Sequence, residues 1–264
     1  ATDADGAEFV VPADRVMMAA GLRPLRESAE ALRGIAPIFQ IVGDAHQRIY
    51  GKRAVLGKCG INVMGRSSKL RLNYRTTEKI RKRAVAILRG VTVDDLDGAQ
   101  DDNKGFRSLV VGKEPIEVRY KTFDKEMDAI VETIVKWQKE DARTDSDYVV
   151  LARRQSDVES IAAALAERGL KSKQVKTDLT IRESEKDRVR IATMHRAKGL
   201  EFVGVVVAEV NQGIWPLHPE EYKDMDPVAQ KSCDDSERSL LYVALSRAMK
   251  HAMITGVGEM CERL

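Results

Sequence analysis

Four short runs of this sequence crowd together side chains whose types can do chemistry. Val42-Gly43-Asp44-Ala45-His46-Gln47-Arg48-Ile49-Tyr50 follows an apolar run and sets polar groups at the carboxyl end of an expected strand, where open parallel sheets hold ligands. Leu72-Asn73-Tyr74-Arg75-Thr76 places an aromatic ring beside a guanidinium just before an expected helix. A tyrosine to stack on a base and an arginine to fork onto phosphate would suit a nucleotide; a half-buried tyrosine beside a surface arginine is the plainer alternative. Thr193-Met194-His195-Arg196-Ala197-Lys198-Gly199-Leu200-Glu201-Phe202 packs hydroxyl, imidazole, ammonium and carboxylate groups into a turn between two apolar strands, a density that packing alone does not explain. Leu241-Tyr242-Val243-Ala244-Leu245-Ser246-Arg247-Ala248 is a mostly apolar helix with Arg247 near its far end, where the charge would do chemistry or simply complement the helix dipole.

The elements that must position these runs alternate between strand-like and helix-like patterns, which predicts an α/β domain with a mainly parallel sheet. Ile38 to Val42 reads as a strand ended by Gly43-Asp44. After Thr76, the residues Ile80, Ala84, Ile87 and Leu88 share one helical face until Gly90. Val91 to Gly112 reads as a surface excursion, and Ile116, Val118 and Tyr120 alternate as a strand should. Met127, Ile130, Val131, Ile134 and Val135 form the apolar stripe of a helix packed on the sheet. Tyr148 to Leu151 is the next strand, and Ser156 with Glu159 reads as a capping box before Val158, Ile161, Ala162 and Leu165, with Gly169 as the stop. Val189 to Thr193, Val203 to Ala208 and Ala252 to Thr255 are the remaining strands.

With 264 residues, 43% hydrophobic and 32% charged, the chain suits one full globular domain plus a smaller piece. Phe202 to Ala208 is far too short an apolar run to cross a bilayer, so no membrane partner is expected. No charged-then-apolar leader is seen, and Cys59, Cys233 and Cys261 show neither CxxC spacing nor an even count, so a reducing cytoplasm is the expected setting. The net charge of +3 is mild, but Arg66, Lys69, Arg71, Arg75, Lys79, Arg81, Lys82, Arg83 and Arg89 face a single acid, Glu78. That density suits a polyanion, or a solvated helix face.

Together, the four runs resemble motifs III, IV, V and VI of the UvrD/Rep family of superfamily 1 helicases, in the family's order. The family patterns are close to VGDxxQxIY, NYRS/T, TxHxxKGLEF and YVAxTRA; here they stand as Val42 to Tyr50, Asn73 to Thr76, Thr193 to Phe202 and Tyr242 to Ala248. Gly213-Ile214-Trp215-Pro216 is similar to the family's GLFP turn, so the resemblance spans roughly Ile38 to Thr255. It implies a RecA-like fold of the P-loop NTPase class, a mainly parallel sheet flanked by helices. It also implies a division into residues 1–64, a remnant of a first motor domain ending in motif III, and residues 65–264, a second motor domain carrying motifs IV to VI. By resemblance, Gln47 senses the γ-phosphate of ATP or its attacking water, Tyr74 stacks on adenine, and Arg75 and Arg247 are arginine fingers. Glu201, with Gly199 beside it, binds the ribose. Thr193 and His195 touch the DNA backbone with Lys198 nearby, and Tyr50 stacks on or braces a base. The implied partners are single-stranded or partly duplex DNA and the N-terminal motor domain of the same parent chain, with ATP and Mg²⁺ used by the parent enzyme.

The chain departs from the family pattern in four places. A phosphate loop GxxxxGK(S/T) is absent from the 264 residues, so the chain by itself is expected neither to hold ATP and Mg²⁺ nor to turn them over. Where the family carries an apolar strand ending in DEAQD, this chain has Val16 to Pro24; in that register Met17 and Met18 replace the metal-binding Asp and the catalytic Glu, and Gly21 the last Asp. A degenerate site and a mere linker both fit that segment. Lys52 stands where the family has an aromatic ring, so attraction to the DNA backbone would replace stacking there. Finally, the stretch from Arg75 to Thr193 has room for a few sheet elements and no large accessory domain. The leading expectation is the C-terminal motor domain of an ATP-dependent helicase; the alternative is a degenerate helicase-like module that binds DNA or protein without turnover.

Overall fold

The computed structural model describes residues 16–20, 39–43, 49, 70–91, 105–175 and 183–258. The chain divides into two compact units, one of residues 1–68 with 93–101 and the other of residues 69–92 with 102–264. In the first unit, β1 (Val16–Ala20) and β2 (Phe39–Gly43) pair in parallel, with Met17 opposite Gln40 and Met18 opposite Ile41.

The second unit is built on a six-stranded sheet of order β5-β10-β9-β6-β8-β7, parallel throughout. Its strands are β5 (Ile116–Tyr120), β6 (Tyr148–Ala152), β7 (Ser172–Gln174), β8 (Val189–Thr193), β9 (Phe202–Val207) and β10 (Ala248–Val257). A two-residue pair, β3 (Leu72–Asn73) with β4 (Arg107–Ser108), stands apart from it. Every residue of β6 and β9 is buried, which is why both read as unbroken apolar runs instead of alternating ones. The edge strand β5 does not alternate as its sequence suggests: Val118 is exposed and Arg119 half-buried, because Arg119 reaches across to donate to the Val210 carbonyl. The last strand starts at Ala248, well before the expected Ala252, because Ala248 pairs with Phe202 ahead of a register shift.

Among the described residues four helices flank the sheet: α1 (Glu78–Ile87), α2 (Phe123–Asp141), α3 (Gln155–Glu167) and α4 (Pro227–Leu245). The stripe Met127, Ile130 and Ile134 of α2 is wholly buried, extends to Trp137, and joins Val158, Ile161 and Leu165 of α3 over β6 in one core. The cap of α3 differs from the expected one. Its box is Arg154 with Asp157, whose carboxylate accepts the Arg154 N–H at 3.1 Å and the guanidinium Nε–H at 2.9 Å, so Ser156 lies inside the first turn. Helix α4 starts on Asp226, whose carboxylate accepts from the Val228 and Ala229 amides with Pro227 at the first position.

On α1, the basic face expected to suit a polyanion is largely committed within the protein. Arg81 forks onto Glu78, Lys79 pairs with Glu114 and Arg83 with Glu117, while Arg238 of α4 bonds the Ile87 carbonyl at 2.7 Å. The Glu78 carboxyl is held down at about 2, chiefly by the Arg81 hydrogen bond, against the opposing effect of burial.

Candidate functional site

Because the six strands of the large sheet all run the same way, their ends define two opposite edges, and the motif residues divide between them. The strands β8 and β9 that carry the third run are five and six residues long, so the edges stand roughly 17–20 Å apart there at about 3.3 Å per residue.

The amino-terminal edge carries Tyr74, Arg75, Gly199, Glu201 and Arg247. Asn73 ends β3, and its side-chain oxygen accepts the amides of Arg75 (2.8 Å) and Thr76 (3.2 Å), which folds the chain into a tight turn before α1. That turn leaves the Tyr74 ring 76% exposed and sends Arg75 to an ion pair with Glu201, each side chain a little over a third exposed. Thr76 and Thr77 tie the turn down: the Thr76 hydroxyl approaches the Ser246 carbonyl at 3.4 Å, and the Thr77 amide donates to the Met249 carbonyl at 3.3 Å. Gly112 lies so close that a Cβ there would meet the Thr77 side chain at 2.4 Å.

Arg247 does not lie within α4; it follows the C-cap Ser246 and immediately precedes β10. It is 2% exposed. Its Nε donates to the Val243 carbonyl at 3.1 Å, one Nη lies 3.0 Å from the Ser246 hydroxyl, and the other is 3.5 Å from the Leu200 carbonyl. The expected service to the helix end is therefore present, since a last-turn carbonyl receives a charged donor. Backbone bonding completes the junction, with the Phe202 amide donating to the Arg247 carbonyl at 3.0 Å. Gly199 adopts φ +86, a left-handed conformation natural to glycine, and turns the chain into Leu200 and Glu201.

At the carboxyl-terminal edge, Thr193 ends β8 opposite Ala152 of β6 and leads into a 3-10 turn, Met194–Ala197. Met194 and Ala197 are fully buried, whereas His195 and Lys198 are half-buried. Burial lowers the His195 pKa first and the nearby Arg153 charge lowers it further, with Glu237 opposing, so the imidazole favours its neutral form. Arg153 and Glu237 form a forked pair at 2.7 and 2.9 Å with side chains 15% and 9% exposed. Glu237 also accepts the Leu217 amide at 3.0 Å, and its backbone carbonyl accepts the Trp215 indole N–H at 3.3 Å. Sequence reasoning missed Arg153 and Glu237; the available signal was a charged residue directly after the buried strand β6. From this edge the 3-10 turn packs along α4 while the chain returns to Glu201 at the other edge. One ten-residue run thus reaches both edges of the sheet.

The same edge holds an unexpected acidic pair. Glu209, two residues past β9, has φ +54 and donates its amide to the Glu126 carboxylate at 2.9 Å. Glu126 is fully buried. Burial, then the Asp157 and Glu126 charges, push the Glu209 carboxyl up to about 7, with Arg154 opposing. Of the expected site residues, Gln47, Tyr50 and Lys52 lie outside the described residues. Among the described residues no group of three or more His, Cys, Asp or Glu side chains could hold a metal ion, and no helix is long and apolar enough to cross a membrane.

Known proteins share this architecture and parts of the sequence. The C-terminal domain of a possible DNA helicase from Lactobacillus plantarum WCFS1 superposes with a TM-score of 0.51 at 22% identity, covering 72% of this chain and 91% of that one, a likeness of fold. A probable DNA helicase II homolog of Mycoplasma genitalium is 37% identical over 82 residues, which cover 30% of this chain and 10% of that protein. The ATP-dependent DNA helicase Rep of Buchnera aphidicola (subsp. Acyrthosiphon pisum) is 34% identical over 94 residues, covering 31% of this chain and 13% of that protein. This chain therefore matches only about a tenth of the length of these relatives. The model of the UvrD-like helicase C-terminal domain matches residues 68–178 and 170–257, well over half of the chain, so the chain belongs to that family and its fold is the parallel α/β fold of a UvrD/Rep-like helicase C-terminal region.

Proposed function

We propose that this chain is the second motor domain of an ATP-dependent DNA helicase or translocase, completing an ATP site whose phosphate loop belongs to the first motor domain of the parent protein. One observation carries the reading: the Arg75 guanidinium, the Glu201 carboxylate and the largely exposed Tyr74 ring stand together at one edge of the sheet. An aromatic face for a base, a carboxylate for sugar hydroxyls and a guanidinium for phosphate are the three chemistries a nucleoside triphosphate needs. ATP would supply the transferable phosphoryl group, with Mg²⁺ held by the parent's phosphate-loop domain. Charge spreads over the equatorial oxygens as that group transfers, and a guanidinium brought across the cleft stabilises it, typically by about 10³ to 10⁵ in rate. Arg75 is exposed enough to serve directly. Arg247 first has to leave its Val243, Leu200 and Ser246 acceptors, which couples its use to movement of the Gly199–Glu201 turn. Thr193, His195 and Lys198, at the far end of the same run, are the groups for a single-stranded DNA backbone, so that run is a direct mechanical link between strand and nucleotide.

The test is DNA-stimulated ATP turnover by the parent protein. Arg75→Ala and Arg247→Ala should each lower turnover by about 10³-fold or more while nucleotide still binds; unaltered turnover overturns the assignment. A second reading, a helicase-like module that binds DNA or protein without turnover, is favoured by the position of Met17 and Met18 within strand β1, parallel to the strand that leads into the motif III run. A parent protein that binds single-stranded DNA but hydrolyses no ATP would select it.

A further inference from the structure

The 3-10 turn Met194–Ala197 has three residues per turn and rises about 2 Å per residue, so side chains three apart lie one above another on the same face. This sorts the turn by face. Met194 and Ala197 form the face buried in the domain, and His195 and Lys198 form a half-buried face. Arg196 is exposed and lies on neither face, and Thr193, in extended backbone without a side-chain cap bond, ends β8 three residues earlier. At this edge the two arginines that follow β6 are spoken for, Arg153 by Glu237 and Arg154 by Asp157. Among the described residues no carboxylate holds Arg196. An exposed cation therefore stands three residues past the hydroxyl that ends a buried strand, with no neutralising partner among the described residues.

We propose that Arg196 is a further backbone contact for single-stranded DNA, gripping a phosphate in addition to the contact of the Thr193 hydroxyl. The inference rests on the DNA-binding reading of this edge and adds a charged grip to it. Thr193 brings a neutral donor that fixes position, whereas Arg196 brings a full charge that displaces a counterion. These two kinds of contact differ in their response to salt. Neutralising one phosphate of a single strand contributes about 0.7 to the slope of log affinity against log salt concentration, and a neutral hydroxyl contributes nothing to it.

The experiment is binding of fluorescein-labelled oligothymidylate to the 264-residue chain, followed by anisotropy between about 50 and about 200 mM NaCl. Arg196→Gln should flatten the slope by about 0.7, so that its affinity deficit shrinks by about 2.5-fold across that range. Arg196→Lys should keep the slope. Thr193→Ala should weaken binding equally at every salt concentration, and Lys136→Gln, an exposed cation on α2, should change neither affinity nor slope. A wild-type slope for Arg196→Gln, or an equal flattening by Lys136→Gln, overturns the proposal while the DNA-binding reading stands. Failure of the unaltered chain to bind the oligonucleotide overturns both.

Discussion

Removing the Glu237 carboxylate should cost this domain more stability than any exposed ion pair on its surface. Glu237 accepts both arms of Arg153 and the Leu217 amide, and neither partner of the pair is more than 15% exposed. In Glu237→Ala the guanidinium stays behind in a site with little access to water. Breaking a buried pair from one side typically costs about 3–5 kcal/mol, and the residual exposure of Arg153 favours the lower end. A loss of about 3 kcal/mol is a large part of the roughly 5–15 kcal/mol that holds a domain folded, and at about 2–4 °C per kcal/mol it lowers Tm by about 6–12 °C. The assay is urea unfolding followed by tryptophan fluorescence. Both tryptophans of the chain, Trp137 and Trp215, lie in the second unit, and Trp215 bonds Glu237 itself, so the signal reports this unit. Replacing both partners by apolar residues of similar volume, Arg153→Met with Glu237→Leu, should recover all but about 1 kcal/mol, because no uncompensated charge remains. Glu237→Ala should also lower the His195 pKa further, since the one charge that raises it is gone. Stability within about 0.5 kcal/mol of wild type for Glu237→Ala, or a double variant no better than the single, would refute this reasoning.

Four other perturbations follow from the same geometry. Glu209 sits at φ +54, so Glu209→Gly should raise stability by about 1 kcal/mol in the same unfolding assay, whereas an ordinary loop glutamate would give no gain. Its carboxyl is raised to about 7, so its contribution is fully present below the ordinary glutamate range and is lost as pH rises through about 7; stability of Glu209→Gln measured against pH should lack that decline. His251 is 4% exposed, stacked on Trp137 at 5.0 Å and bonded to Asp141 at 2.8 Å, and burial lowers its pKa despite the favourable aspartate. Its neutral form belongs to the fold, so stability is present above about 6.5 and falls as pH drops below that value; His251→Gln should flatten the unfolding profile between about pH 7 and 5.5. Gly204 of β9 lies under two rings, and a Cβ there would meet Tyr148 Cδ1 at 2.7 Å and Trp137 Cε3 at 2.8 Å. Gly204→Ala should cost about 1–3 kcal/mol by thermal unfolding, and an unchanged Tm would show that the rings move aside freely.

The fold class was legible in the chain alone, because strand and helix each write a periodicity that composition cannot imitate. The buried runs at Tyr148 and Phe202 and the stripe from Met127 to Ile134 are local patterns set by which faces meet the core. The candidate site residues Tyr74, Arg75, Thr193, His195, Glu201 and Arg247 could be named from the sequence as well, since they stand in short motifs that need no partner to be read. Local signals failed where a distant group decided the outcome. The basic density around Arg81 turned out to be held in part by Glu114 and Glu117, carboxylates more than thirty residues away in the chain, and the box capping α3 is Asp157 with Arg154 instead of Ser156 with Glu159. Three-dimensional packing divides the motifs between two opposite edges of one sheet, rests Arg75 on Glu201, and buries Arg247 beneath the turn from Gly199 to Glu201. Pairings such as Arg153 with Glu237, 84 positions apart, leave no periodic trace, because a contact between charges depends on where two elements meet in space and not on the spacing within either one.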